Sequence, residues 1–304
     1  MAVETTTRRL RGPTGSPRQV PNGPRRRLRV RTVLAAVGVN ALLLVFGVLA
    51  AFPLYWAVST SFLPPDEIIG GAQRLFVHDP TLANYEQLLA HTRFLGAIGN
   101  SAVIAAVVTA GGTVFAAMAG YAFAKLRFRA RDVLFLLVLL TMMVPPLVTV
   151  PINFVMMSKL HLINTLWAVV LPQLTPAFGI FWMRQYARSA VPDQVLEAAR
   201  VDGCGEIRMF FSIVMPILRP AMAGLAIYMF MASWNQFLLP LTYLQSNSKQ
   251  TYPVFLNTLN SSYAVPQTNL AVAASVLATI PLALIFIFGQ RHFVAGVTTG
   301  AVKE

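Results

Sequence analysis

Six long stretches of this chain contain no aspartate, glutamate, lysine or arginine. A helix that crosses a bilayer needs about 20 mainly apolar residues, and a charged side chain at its centre costs roughly 2.5–3.5 kcal/mol on insertion scales. The whole chain is only 12% charged, about half of what a soluble protein usually carries. The pattern therefore predicts an all-α integral membrane protein with six transmembrane helices. The charge-free stretches are residues 32–65, 94–124, 133–158, 160–183, 220–248 and 250–290.

These stretches also divide the chain into segments. The predicted spans are residues 33–58, 98–124, 133–157, 163–183, 217–240 and 270–289. The predicted segments are a disordered basic tail at 1–31, a first transmembrane helix with its external loop at 32–96, a transmembrane core at 97–290 and a C-terminal tail at 291–304. The first tail is rich in Arg, Pro, Gly and Thr, a composition typical of disorder. Its arginines either contact anionic membrane lipid or act only as a topology signal, and both interpretations stay open.

The connecting segments alternate in charge. The two tails and the second and fourth loops together hold 20 basic and 7 acidic residues, whereas the other three loops hold 4 of each. The whole net charge of +13 thus falls on one side of the membrane, which the positive-inside rule identifies as cytoplasmic. We therefore expect a multi-pass protein of the cell membrane with both termini in the cytoplasm. Because the basic residues flank spans rather than cover a soluble domain, a nucleic-acid-binding function is excluded.

Several other functions require groups that the sequence lacks. A proton-driven carrier normally uses ionisable side chains within the membrane, and the charge-free stretches hold no such acid, lysine or arginine. No lysine follows a glycine, so the chain has no phosphate-binding P-loop and is not expected to hydrolyse nucleotides. Cys204 is the single cysteine, which excludes an internal disulfide. We expect a non-enzymatic chain without cofactor or metal; a stand-alone ion-coupled secondary transporter or channel is the alternative.

Two spans have compositions that indicate how they pack. The third carries Pro145, Pro146 and Pro151, which remove backbone donors and predict a kink or break in a helix that lines a pathway. The second is rich in small residues that permit close contact between helices. These small residues are Ala105, Ala106, Ala110, Gly111, Gly112, Ala116, Ala117, Ala119 and Gly120.

Polar side chains interrupt the fifth span at Trp234, Asn235 and Gln236. Such groups are costly within a membrane unless they meet a partner or water. They therefore indicate either a substrate or gating contact or an interhelical hydrogen bond between subunits. Asn153 in the third span is a further candidate for the substrate pathway.

The fourth loop, within residues 189–216, is the most informative segment of the sequence. Pro192 and Asp193 suit the start of a helix, and the two glycines of Gly203-Cys204-Gly205 predict a turn. An apolar stripe at helical spacing follows, at Ile207, Phe210, Phe211 and Val214. We expect two short amphipathic helices, which either protrude from the membrane or lie on its surface.

The spacing within this loop closely resembles the EAA loop of ABC-importer permeases, and residues 189–216 are called the EAA loop below. Glu197-Ala198-Ala199 is followed after three residues by Gly203, and after nine more by Ile213, with Pro216 beyond it. Met215 stands where these permeases usually have leucine. Further matches are Asn84-Tyr85, Asn100-Ser101, Trp234-Asn235 and the ending GQRHFVAGVTTGAVKE. Together they resemble carbohydrate-type permeases, the branch similar to the shorter permease subunit of maltose transporters.

The resemblance implies a MetI-like permease fold and a division of labour between subunits. An ABC ATPase dimer would bind ATP and Mg, a second homologous permease would complete the pore, and an extracytoplasmic solute-binding protein would deliver a sugar or related solute. Gln236 replaces the acid that usually follows Trp-Asn in these permeases, and Glu304 replaces the final glycine. The implied ATPase-coupling residues are Glu197, Ala198, Ala199, Asp202, Gly203, Ile213 and Pro216. The C-terminal residues implied to contact the ATPase are Gly300, Ala301, Val302 and Lys303.

Overall fold

The computed structural model describes residues 25–69, 76–261 and 267–298, with side chains described within 36–289. This part of the chain is helical and contains no strand. Contacts divide the chain into two units, Met1–Tyr55 and Trp56–Glu304. The helices are α1 Arg25–Ser61, α2 Pro65–Ile69, α3 Ala83–Ala90, α4 Phe94–Lys125, α5 Arg131–Met143, α6 Pro146–Lys159, α7 Leu166–Val170, α8 Ala177–Ala190, α9 Asp193–Val201, α10 Glu206–Met209, α11 Met215–Trp234, α12 Leu238–Tyr243, α13 Tyr252–Asn260 and α14 Thr268–Thr298.

The first unit consists, in its described part, of residues 25–55 of helix α1, and the last turns of this helix belong to the second unit. This helix begins at Arg25, so residues 25–31, which were predicted to belong to the disordered tail of 1–31, are helical. Arginine is a good helix former, which suits its presence in the first turns of α1. Every side chain from 36 to 55 is exposed, as the lipid-facing surface of an apolar span would be.

The number and type of spans agree with the sequence prediction. Five helical segments are long and apolar enough to cross a membrane, and one bent helix pair makes up to six. The predicted spans overlap all of them. The five single segments are Ala36–Ser61, Phe94–Lys125, Leu166–Ala190, Glu206–Trp234 and Thr268–Gly289, and the bent pair is Arg131–Met143 with Pro146–Lys159.

The third span is broken, as the prolines predict. The helix axis bends by 108° between α5 and α6, across Val144 and Pro145. Pro146 occupies the first turn of α6, where its missing N–H costs little. Pro151 lies inside α6 without ending it, so only the first two prolines mark the break.

The fourth span also contains an irregular piece. Helix α7 continues into a 3₁₀ turn at Leu171–Gln173, and α8 starts only after Pro176. Proline removes backbone donors at both Pro172 and Pro176. Two of the spans in the second unit are therefore discontinuous helices.

The centre of the second unit is helix α4, which packs most extensively against α8 and α11. Its small residues make this possible, as predicted: Ala116 and Ala117 are fully buried. A Cβ atom at Gly120 would lie 2.6 Å from the Cβ of Met183 and 2.7 Å from the backbone nitrogen of Arg184. The backbones of α4 and α8 thus approach as closely as only glycine allows.

The fifth span extends further than the sequence suggests. Helix α10, a wider π-helical turn at Phe210–Val214 and helix α11 form one helical segment, Glu206–Trp234. The predicted second short helix of the EAA loop is therefore wrong, because it is the first part of span five. Pro216 lies two residues after the end of the π turn. Its ring crowds the carbonyl of Ser212 four residues earlier, and a wider turn at that place relieves the crowding.

The polar residues Asn84, Asn100 and Ser101 connect loops to helices. Asn84 is fully buried, and its amide nitrogen donates to the carbonyl oxygens of Ser61 at 2.9 Å and Leu63 at 2.7 Å. Its side-chain oxygen accepts a hydrogen bond from Asn269 at 3.2 Å. A single side chain thus ties the end of α1 to α3 and α14.

Asn100 and Ser101 act in the same way at the start of the second span. The amide of Asn100 donates to the carbonyls of Ser248 and Gln250, both at 3.0 Å. The hydroxyl of Ser101 accepts the backbone N–H of Tyr252 at 2.8 Å. These residues therefore fix the segment between α12 and α13 against α4.

Candidate functional site

The turn in the EAA loop is a Schellman motif, and it explains the spacing of the sequence pattern. Helix α9 ends at Val201, and Gly203 adopts a left-handed conformation with φ +76°. The N–H of Cys204 donates to the carbonyl of Ala199 at 2.9 Å, and that of Gly203 donates to Arg200 at 3.0 Å. The carbonyl groups at the end of α9 are satisfied in this way. The distance of four positions from Ala199 to Gly203 is therefore set by helix termination.

The loop presents a mixed surface at this turn. Leu196 and Ala199 are buried against the rest of the second unit, whereas Glu197 and Ala198 are exposed. Val201 and Ile207 flank the turn and are 88% and 73% exposed. Exposed apolar residues beside charged ones are typical of a surface that contacts another protein.

The apolar stripe predicted at residues 207–214 is divided between two faces. Phe210 and Val214 are buried, but Ile207 and Phe211 are largely exposed. Each pair has the i, i+4 spacing of one row along a helix, so the edge of the buried surface runs between two neighbouring rows.

Two polar contacts attach α9 to the membrane helices, and a third links two of those helices to each other. The ammonium of Lys125, at the end of span two, donates to Asp193 at 2.9 Å. Glu206 accepts hydrogen bonds at 3.0 Å from both Arg200 of α9 and the hydroxyl of Tyr121 in span two. The hydrogen bond that Arg200 donates to Glu206 raises the pKa of Arg200. Glu206 and Tyr121 were not predicted as site residues, because their pairing depends on elements far apart in sequence.

We expect Glu206→Gln to loosen the EAA loop without unfolding the protein. The substitution removes a half-exposed charge-assisted pair, worth about 1 kcal/mol, which corresponds to about 2–4 °C in Tm for a chain of this class. Thermal unfolding of the purified protein in detergent measures the change. Arg208→Gln, an exposed position of the same helix, is the matched control. Equal Tm values for the two variants would contradict a role for Glu206 in attachment.

The remaining predicted coupling residues lie at or beyond this turn. Asp202 is exposed at the end of α9, while Ile213 and Pro216 are half-buried within the fifth span. Gly300, Ala301, Val302 and Lys303 lie outside the described residues.

The predicted pathway residues fall on two elements. Trp234 is buried, its ring stacks on those of Phe230 at 5.6 Å and Tyr252 at 6.2 Å, and its Nε1 has no hydrogen-bond partner within the described part. The amide of Asn235 donates to the carbonyl of Met231 in its own helix, and Gln236 accepts the N–H of Leu238. Asn153 is half-buried on α6. The structure brings the first three together at the end of span five, whereas Asn153 belongs to the bent span.

A cavity of about 560 Å³ lies where the two discontinuous spans meet α4 and α11. Sequence reasoning identified the break that borders it but none of its other residues, because they come from separate elements. The lining residues are Val108, Thr141, Met142, Val144, Pro146, Gln173, Pro176, Ala177, Phe178, Tyr228, Met229 and Ala232. No acidic or basic side chain is among them.

A second cleft, of about 850 Å³, lies beside the EAA loop. Unlike the first cavity, it is lined by charged residues of both signs, including the attached pair Lys125 and Asp193. Its place between the second loop and α9 makes it part of the same surface as the exposed face of the EAA loop.

Comparison with known proteins agrees with this architecture. The chain is 38% identical to an arabinooligosaccharide transport permease, AraQ of Halalkalibacterium halodurans, over 84% of this chain and 92% of that protein. It is 34% identical to a lactose transport permease, LacG of Rhizobium radiobacter, over 84% and 92%.

A solved structure shares the fold. One chain of a bacterial ABC transporter involved in import of the acidic polysaccharide alginate superimposes with a TM-score of 0.76 at 21% identity, covering 88% of this chain and 98% of that one. Residues 112–299, which include the EAA loop and the cavity-lining parts of α8 and α11, match the family of binding-protein-dependent transport system inner membrane components. The chain belongs to that family.

Proposed function

We propose that this chain is the transmembrane permease subunit of an ATP-driven importer for a sugar or related polar solute. The observation that carries the proposal is the EAA loop. This loop has one exposed face, and separate contacts attach it to spans two and five. The names of the relatives AraQ and LacG support a saccharide as the solute class.

In this proposal, the exposed face of α9 seats on a separate ABC ATPase on the cytoplasmic side. Glu197 and Ala198 offer a charge and a small, closely approachable surface, and Val201 and Ile207 add apolar contact. Because Glu206 joins α9 to both Tyr121 and the start of span five, movement of the loop is transmitted to two spans directly. ATP and Mg act in the ATPase dimer, not in this chain.

Two further proteins complete the proposed complex. A second homologous permease forms the other half of the pore, and an extracytoplasmic solute-binding protein delivers the solute. The C-terminal residues 300–303 contact the ATPase, and membrane lipid surrounds the apolar spans. Both termini are then cytoplasmic, as the charge distribution of the loops predicts.

The source of energy tests this function. We expect uptake by proteoliposomes that contain the complete complex to require internal ATP together with the binding protein and to be blocked by vanadate. Collapse of the membrane potential with an ionophore should leave uptake unchanged. Uptake that persists without ATP but stops with the ionophore would instead establish an ion-coupled transporter.

A further inference from the structure

The cavity between the discontinuous spans is bordered by backbone that is not part of a regular helix. Val144 and Pro146 border the break in span three, and Gln173 and Pro176 border the irregular piece of span four. Backbone groups freed from a helix at membrane depth are tolerated only where protein covers them or where water fills a cavity. Two such breaks facing the same space indicate a space that holds water or solute rather than lipid.

Aromatic rings form one wall of this cavity. The rings of Phe178 and Tyr228 lie 5.0 Å apart, and Trp182 packs edge-on against Phe178 at 5.7 Å. Tyr228 is 47% exposed, and its hydroxyl makes no hydrogen bond within the described residues. A hydroxyl group without a hydrogen-bond partner in hydrocarbon costs several kcal/mol. The hydroxyl of Tyr228 therefore indicates that the cavity holds water or a polar ligand.

Neutral hydrogen-bonding groups complete the lining. The amide nitrogen of Gln173 donates to the carbonyl of Val169 at 2.7 Å, which fixes the side chain and leaves its oxygen to accept a bond from a ligand. Thr141, on α5, also borders the cavity. Because none of the lining residues is acidic or basic, a charged ligand would lose its hydration without gaining an opposite charge.

We propose that this cavity is a contact site for the transported solute on this subunit, and that the solute is an uncharged saccharide. The apolar face of a sugar ring would stack on Tyr228 and Phe178, while ring hydroxyls would bond to Gln173 and to the hydroxyl of Tyr228. The volume of about 560 Å³ lies within the range of small-molecule sites. The proposal rests on the proposed importer function and adds the site and the charge of the solute.

The first test asks whether the cavity is wet. In the complete complex carrying Cys204→Ala, a negatively charged methanethiosulfonate reagent is applied to Tyr228→Cys and to Phe115→Cys. Phe115 is 49% exposed but borders a different, apolar-lined pocket on α4, so it is the matched control. We expect labelling at position 228 to be about tenfold faster or more, because the reactive thiolate forms only in water. Equal rates, or no reaction at position 228, would overturn the proposal.

The second test identifies the ligand class. Labelling of Tyr228→Cys is repeated at a saturating concentration of the binding protein with one saccharide added at a time. Three of the saccharides are neutral (lactose, maltose and arabinotriose), and the fourth, digalacturonate, is acidic. We expect at least one neutral saccharide to slow the labelling and digalacturonate to have no effect. Protection by digalacturonate alone, or by none of the four, would overturn the proposal.

Uptake by variants separates this inference from the proposed function. Tyr228→Ala and Gln173→Ala should each lower uptake of the protecting sugar about fivefold or more, since each removes a stacking or hydrogen-bonding contact. Tyr228→Phe, which keeps the ring, should lose less, and Phe115→Ala should transport normally. If the unaltered complex shows ATP-dependent uptake but Tyr228→Ala and Gln173→Ala match it, the site is wrong and the importer function stands. If the unaltered complex shows no ATP-dependent uptake, the importer function itself fails.

Discussion

Gly120→Leu is expected to prevent accumulation of the folded protein. At this position even a Cβ atom would lie 2.6 Å from the Cβ of Met183, 2.7 Å from the nitrogen of Arg184 and 2.8 Å from the carbonyl carbon of Met183. Two of these atoms belong to the backbone of α8, which cannot rotate away as a side chain can. Since α4 and α8 form the most extensive contact in the second unit, separating them displaces the centre of the core.

The size of the effect follows from overpacking. Insertion of extra carbon atoms into a well-packed core costs typically about 1–3 kcal/mol and more where backbone must move, which is a large part of the stability of a typical domain. Gly120→Ala should therefore already lower Tm, and Gly120→Leu should give little monodisperse protein after extraction in detergent. Gly99→Leu in the same helix is the matched control, because a Cβ atom at Gly99 meets no atom within 4 Å. Normal yield and Tm for Gly120→Leu would show that α4 and α8 do not pack this closely.

Gly203→Val is expected to reduce uptake strongly while the complex still assembles. A Cβ at Gly203 meets nothing within 4 Å, so the effect arises from the backbone conformation alone. With φ at +76°, a residue with a side chain costs about 1–2 kcal/mol, and a β-branched one costs more. Relief of this strain would unwind the Schellman motif and turn α9 relative to span five, so that ATP hydrolysis becomes uncoupled from uptake.

Two control variants isolate the role of the backbone. Gly203→Asn should retain most uptake, because asparagine adopts the left-handed conformation more readily than other residues. Gly205→Val should also be mild, since Gly205 has φ −70° and no atom near its Cβ position. The measurement is the ratio of uptake to ATP hydrolysis in proteoliposomes. A normal ratio for Gly203→Val would contradict the coupling role of this turn.

The fold was largely predictable because the membrane imposes a simple rule on charge. Exclusion of charged side chains placed all six spans, and Pro145-Pro146 placed the break in the third. The small residues of the second span predicted its close packing, which Gly120 shows most clearly. Each of these signals acts within one helix and can therefore be recognised without knowledge of its neighbours.

What sequence reasoning missed depends on contacts between elements. The sequence analysis started span five at 217, after the EAA loop, but the π turn at Phe210–Val214 lets one helical segment run from Glu206 past Pro216. In the sequence, Glu206 could not be distinguished from any other acidic residue in the first turn of a helix. Its role depends on its contact with Tyr121, which only the structure shows. Gln173, Phe178 and Tyr228 carry no motif, and they become a site only because two breaks in separate helices face them.

The length of the fifth helical segment has a mechanical consequence. Glu206–Trp234 holds 29 residues, about 43 Å at 1.5 Å rise per residue. The turn of the EAA loop is at one end of this rod, and Tyr228 and Ala232 lie near the other. A tilt of about 10° pivoting at the loop end would sweep the far end through about 7 Å, roughly the width of a sugar ring. In the proposed importer this helix would act as a lever arm, and the size of the displacement would depend on how stiff the helix is at the π turn.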